Sequence, residues 1–303
     1  MMGGRYGEVL RTPDERFRGL PGYGFEPRYV MVDGLRMHYV DEGPQGGATV
    51  LMLHGEPSWS YLYRKMIPVI AGAGFRAMAP DLVGFGRSDK PAHRGAYSYA
   101  AHVGWMQAFI ETLGLREITL VGQDWGSLVG LRVAAENPDR LARIVAANAA
   151  LPTGEGRAPL VFRAWQAFAR WTPRLPVGRI VQAGSHTRLP PHVRVAYDAP
   201  FPSERYKAGA RAFPQLVPLR RDDPAREANL RAWEVLERWE KPFLTAYGEH
   251  ERITRSFERQ FQRRVPGARG QPHATIPGAG HFVQEDAGEE LARVILDFIR
   301  RTP

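Results

Sequence analysis

The chain has 303 residues and a formal net charge of +9, enough for one α/β domain carrying an insertion of some tens of residues. The absence of cysteine excludes disulfides and thiol catalysis and fits a reducing compartment. No apolar run reaches the roughly 18 residues of a membrane span, and Met1 to Gly24 lacks the apolar core of a secretory signal, so a cytoplasmic chain is expected.

The positive charge is nearly all arginine, with lysine only at 65, 90, 207 and 241. Most arginines are interleaved with acids, as over 231–240, which reads as a solvated surface rather than a nucleic-acid footprint. The largest excess runs from Arg157 to Arg194. It is expected to form a basic surface on the insertion or to draw anions toward a site beneath it.

The first element in chain order is a hairpin: residues 29–32 and 35–40 are β-rich and flank Asp33-Gly34. Residues 49–53 form a short continuous apolar run and predict a buried strand. Residues 75–79, 118–121, 141–147 and 243–247 read the same way. Between them, Val103, Met106, Ile110 and Leu113 recur at helical spacing, and Gly114 ends that pattern. A second helix follows Asp124 and stops before Pro138, and Leu291, Val294, Ile295, Phe298 and Ile299 mark a third near the C-terminus. Such alternation indicates a mostly parallel sheet covered on both faces. It breaks at Leu151-Pro152, and from there to Trp239 the chain has helical pieces and no strand. The predicted organisation is a core of residues 1–151 and 240–303 with a helical cap of 152–239. The cap is inserted at a strand end, where the ligands of open sheets bind.

Four turns carry the chemistry. The strand 118–121 runs into Gly122-Gln123-Asp124-Trp125-Gly126 and then a helix, the strand–turn–helix of a nucleophile elbow. The central residue is Asp124, which makes it the candidate nucleophile; an Asp there could alternatively only cap the next helix. His54-Gly55-Glu56-Pro57 follows the strand 49–53, so the backbone amides of Glu56 and Trp125 are the candidate oxyanion donors. His281, in Gly280-His281-Phe282, comes last in the chain and is the candidate base. The acid is expected after the strand 243–247. Glu251, third after Gly248, is preferred there, and Glu249 is the alternative.

A carboxylate nucleophile suits displacement at an sp³ carbon and gives an alkyl ester on the protein. That selects alkyl halides or epoxides. A halide needs only N–H donors in a dry pocket, and the Trp125 indole is a donor without an acceptor role. Trp165, in Phe162-Arg163-Ala164-Trp165-Gln166, is the candidate second donor, while Trp171 and Trp233 are expected to pack against the core. An epoxide leaves as an alkoxide and needs a proton, for which Tyr197 and Tyr206 are available.

At these residues the chain resembles the haloalkane dehalogenases, and within them the subfamily that holds the halide with two tryptophans. The resemblance rests on residues 54–64, on Asp81-Leu82-Val83-Gly84-Phe85-Gly86-Arg87-Ser88-Asp89-Lys90-Pro91, on Gly122 to Gly126, and on Leu151-Pro152-Thr153-Gly154 with residues 162–166. It implies an α/β-hydrolase fold: a mostly parallel eight-stranded sheet with helices on both faces and an inserted helical cap. It also implies hydrolysis of a carbon–halogen bond to an alcohol, halide and a proton, with no cofactor. No metal is expected, and a monomer is the expected state, although the sequence leaves the oligomeric state open. The partners are a halogenated alkane, water and the halide, with no nucleic acid and no membrane. It carries the nucleophile onto Asp124, the base onto His281, and the halide contacts onto Trp125 and Trp165. Glu56 fits the two-tryptophan subfamily, since another subfamily has Asn there. The departure is Glu251, where that subfamily has Asp. The fold's other acid position, after the strand 141–147, holds Asn148, whose amide cannot serve as the anion.

Overall fold

A computed structural model describes residues 5–155 and 160–302. Arg157, which opens the predicted basic stretch, lies outside them. The elements in chain order are strands β1 (Val9–Leu10), β2 (Arg28–Val32), β3 (Leu35–Glu42) and β4 (Thr49–Leu53), helix α1 (Ile67–Gly72), strands β5 (Arg76–Pro80) and β6 (Lys90–Pro91), helix α2 (Tyr99–Thr112), strand β7 (Ile118–Gly122), helix α3 (Trp125–Glu136) and strand β8 (Leu141–Ala147). There follow α4 (Leu160–Trp171), α5 (Val177–Gly184), α6 (Pro191–Asp198), α7 (Ala208–Leu216) and α8 (Arg226–Leu236), then β9 (Phe243–Gly248), α9 (Arg255–Arg264), β10 (Ala274–Ile276) and α10 (Val283–Arg301).

Eight strands form one sheet in the order β10-β9-β8-β7-β4-β5-β3-β2. The first six of these run parallel, and β3 and β2 are antiparallel additions. The predicted hairpin pairs Val32 with Leu35. Its two turn residues, Asp33 and Gly34, sit at φ 47° and 80°, the left-handed pair whose twist suits a two-residue connection. Strands β4 and β7 are buried at every residue, as continuous apolar runs in a doubly covered sheet should be. Helix α3 is buried from Trp125 to Ala135, because it lies between the sheet and other helices and has no solvent face. Strands β1 and β6 form a small ribbon of their own, too short to leave a sequence signal.

Topology decides where chemistry can occur. The strands β10, β9, β8, β7 and β4 are consecutive neighbours and parallel. The loops leaving their C-terminal ends, at His281, Glu251, Asn148, Asp124 and His54, therefore gather along one edge. Helices α4 to α8 fill the interval between β8 and β9. Helix α8 nonetheless packs on the core: Asn229 accepts from Arg132 of α3 at 3.3 Å, Trp233 donates to the carbonyl of Leu151 at 2.8 Å, and the Trp233 ring stacks on Phe261 of α9.

The expected packing of Trp171 does not occur. It ends α4 on the solvent side with 73% of its surface exposed, and its neighbour Arg170 lies over the ring. In that turn the small residue Ala169 faces inward instead.

Candidate active site

The elbow places Asp124 at φ 50° and ψ −124°, a conformation that costs a non-glycine residue of the order of 1–3 kcal/mol and persists only where the surroundings impose it. Two glycines make the approach possible. A Cβ on Gly126 would meet the carbonyl oxygen of Leu53 at 1.9 Å, and one on Gly55 would meet Asp124 Cβ at 2.4 Å. Any side chain at either position would push the loop after β4 away from the turn after β7.

Asp124 is half-buried and held at both oxygens. The amide of Glu56 donates to Oδ1 at 2.8 Å, and Oδ2 lies 3.5 Å from Nε2 of His281. The next amide in the chain, that of Trp125, opens α3. The loop carrying Glu56 is fixed by His54, whose Nε2 accepts the Leu82 amide at 3.0 Å. Burial pushes the His54 imidazole below its usual pKa, so it acts here as a neutral acceptor. The Glu56 carboxyl is also buried; desolvation first, and the Asp124 charge second, hold its pKa well above the carboxylate range.

His281 lies between two carboxylates. Its Nδ1 is 2.8 Å from Glu251 Oε2, and the other oxygen of Glu251 accepts the amides of Ile253 and Thr254. Burial alone would lower the imidazole pKa, but Glu251 and Asp124 outweigh it and raise it to about 10. Burial likewise acts against the Glu251 charge, yet the imidazole and the two amides bring its pKa below the usual value. Glu249 is exposed, and its carboxylate accepts the amide of Gly278 at 3.0 Å.

The sequence places Asn148 at the fold's other acid position and Gln123 in the elbow, but gives neither a role in joining these loops. Asn148 is their junction. Its side-chain oxygen accepts the Gly248 amide at 2.9 Å, and its Nδ2 donates to the carbonyls of Gly280 and His281 at 2.8 Å each. Its own carbonyl accepts the Asp124 amide at 3.3 Å. Gln123 adds a bond from Nε2 to the His281 carbonyl at 3.1 Å. The sequence signal for Asn148 is its place directly after a buried strand, at the fold's other acid position.

The Trp125 ring is buried and stacks on Phe213 of α7, with centroids 4.4 Å apart and planes 16° apart. Trp165 is half-buried on α4. That helix packs on α7, and Gln166 donates to the carbonyl of Pro214, the residue after Phe213, at 2.7 Å. Tyr197 is fully buried, and its hydroxyl donates to Glu285, so it is not directed at Asp124. Tyr206 is half-buried before α7. Among the described residues no group of three or more His, Cys, Asp or Glu side chains could hold a metal ion, and no helix is long and apolar enough to cross a membrane.

Residues 48–288 match the family model described as alpha/beta hydrolase fold. The chain is 55% identical to a haloalkane dehalogenase of Mycobacterium marinum, across 96% of this chain and 99% of the relative. It is 52% identical to one from Psychrobacter cryohalolentis, across 98% and 99%. Among solved structures it superposes on the tetrameric haloalkane dehalogenase DpaA of Paraglaciecola agarilytica with a TM-score of 0.86. The identity there is 38%, and the match covers 94% of this chain and 97% of that one.

Proposed function

We propose that this chain, which belongs to the haloalkane dehalogenases within the alpha/beta hydrolase fold, cleaves carbon–halogen bonds through an alkyl ester on Asp124. The observation that carries the reading is the placement of the Asp124 carboxylate. It is bonded by the Glu56 amide on one side and faces Nε2 of His281 on the other, at the end of β7.

In the first step an Asp124 oxygen attacks the sp³ carbon, the C–O bond forms, and the halide leaves with the bonding pair. The indole N–H groups of Trp125 and Trp165 receive the halide, which is the two-tryptophan arrangement. In the second step His281 takes a proton from water, and the oxygen attacks the ester carbonyl. The amides of Glu56 and Trp125 stabilise the resulting oxyanion, an effect of roughly 3 kcal/mol or more for one such donor. Collapse releases the alcohol, restores the Asp124 carboxylate, and leaves a proton that His281 passes to solvent. The balance is haloalkane plus water to alcohol, halide and a proton, and no cofactor enters it.

The electrostatics suit this order. In the free chain the Asp124 charge helps to keep His281 protonated. Esterification removes that charge, so the imidazole becomes more available as a base when a base is needed. Glu251 remains to orient the ring and to balance the imidazolium. Its longer side chain reaches Nδ1 because the Ile253 and Thr254 amides hold its far oxygen. Helices α4 to α7 within residues 152–239 serve as the cap that closes the site. An epoxide would need a proton donor, and the Tyr197 hydroxyl is bonded to Glu285 instead.

The test is halide release. Purified protein should liberate bromide and acid from 1-bromobutane or 1,2-dibromoethane. No bromide from a panel of short bromoalkanes would overturn the reading.

A further inference from the structure

A cleft of about 510 Å³, whose lining does not include Asp124, is walled by residues of both the cap and the core. Arg94, on the core side, and Arg170, Arg205 and Arg211, on the cap side, line it together with Glu204 and Trp171. The volume falls in the range of small-molecule sites.

Its charge is unbalanced. The carboxylate of Glu204 is already taken, by Lys207 at 2.6 Å and by Arg211. Arg205 is paired with Glu8 at 2.6 Å. Arg94 and Arg170 have no carboxylate partner among the described residues. Part of the cluster is structural: Arg94 donates to the carbonyl of Arg170 at 3.2 Å, and Arg211 to that of Ala169 at 3.0 Å. These bonds cap the end of α4, but each uses a single N–H of a five-donor group. Burial, and then the nearby charges of Arg211 and Arg170, lower the pKa of Arg94 below its ordinary value. Like charges gathered around a cleft are relieved by a bound anion. Beside them Trp171 presents an exposed ring under the Arg170 guanidinium.

We propose that this cleft binds a multiply charged, phosphate-bearing small molecule, bridged between Arg94 of the core and Arg170 of the cap. Guanidinium forks match the paired oxygens of a phosphate, whereas a halide offers no such pair. The Trp171 face is placed to stack on a base or aryl group of the same ligand. None of the lining residues is among those assigned to dehalogenation, and the site accounts for part of the arginine excess in the insertion.

Calorimetric titration with inorganic pyrophosphate at constant ionic strength, with sodium bromide as the control, tests the proposal. Saturable binding of one pyrophosphate per chain is expected, at least tenfold weaker in Arg94→Gln/Arg170→Gln. That variant should keep its circular dichroism and its bromide release from 1-bromobutane. Arg94→Gln alone changes one exposed side chain and should weaken binding several-fold, which keeps the test open if the double variant misfolds. A parallel titration with ATP separates the sources. Tighter binding of ATP that is lost in Trp171→Ala identifies a base-bearing ligand, and equal affinities identify the phosphate group alone. Absence of saturable binding by both probes, equal affinity in the variants and the parent, or equal binding of bromide overturns the proposal.

Discussion

Phe213 of the cap lies face to face with Trp125 of the core, with ring centroids 4.4 Å apart. The stack lays a cap ring against the face of the indole that follows the nucleophile, so the plane of Trp125 rests on a cap residue. Phe213→Leu keeps apolar volume but loses the plane. It should cost about 1 kcal/mol of stability and raise the bromide dissociation constant several-fold, as read from quenching of tryptophan fluorescence. An unchanged quenching curve would separate Phe213 from the halide site.

His281→Phe should trap the first intermediate, because displacement needs no base. One equivalent of bromide should be released from 1-bromohexane, and the intact mass should then rise by one hexyl group. Protein that releases no bromide and gains no mass would remove Asp124 from the role of nucleophile.

Glu251 faces Nδ1 of His281 at 2.8 Å, whereas Glu249 is exposed and bonded to Gly278. Glu251→Gln should lower kcat by about 10³ to 10⁴, the scale seen when a triad acid becomes its amide. Glu249→Gln should stay within about twofold, as a solvated surface carboxylate would. The reverse ranking would move the acid to Glu249.

The raised pKa of His281 also links stability to pH. The fold favours the imidazolium, with a pKa of about 10 against an ordinary 6.5. Its stabilisation is therefore complete below about pH 6.5 and is lost as pH rises toward about 10. Tm should fall across that window, and His281→Phe should show a flatter profile. Parallel profiles for the two proteins would contradict the assignment.

Arg64 and Glu285 form a buried bidentate pair at 2.7 and 2.6 Å, to which the cap adds the Tyr197 hydroxyl. Glu285→Ala leaves the guanidinium buried without its partner and should cost about 3–5 kcal/mol in urea unfolding. Tyr197→Phe removes one hydrogen bond to a charged group and should cost about 2 kcal/mol, with dehalogenation of 1-bromobutane within about twofold. A large loss of activity in Tyr197→Phe would bring the tyrosine back into the chemistry.

The legible part of the site is the part written in local pattern. Asp124 stood out because a buried strand, two glycines and a helix surround it within nine residues, 118–126. His281 and Glu251 followed from their order along the chain. The bonds of Asn148 and the stacking of Phe213 were not legible, since their partners lie about a hundred residues away and depend on strand order and cap packing. Trp171 misled for a related reason. A tryptophan in an amphipathic helix suggests burial, but Ala169 occupies the inward position of that turn. The hydroxyl of Tyr197 gave no hint in sequence that Glu285 would accept its bond.

Helix α8 gives the insertion an internal boundary. Strands β8 and β9 are parallel neighbours, so the chain leaving the end of one must cross the sheet to begin the other, and α8 makes that crossing against α3 and α9. The described helices between Leu151 and α8, α4 to α7, add no strand to that sheet. Exchanging helices α4 to α7 for those of a relative should therefore leave the sheet intact, with Asn229 and Trp233 still holding the crossover.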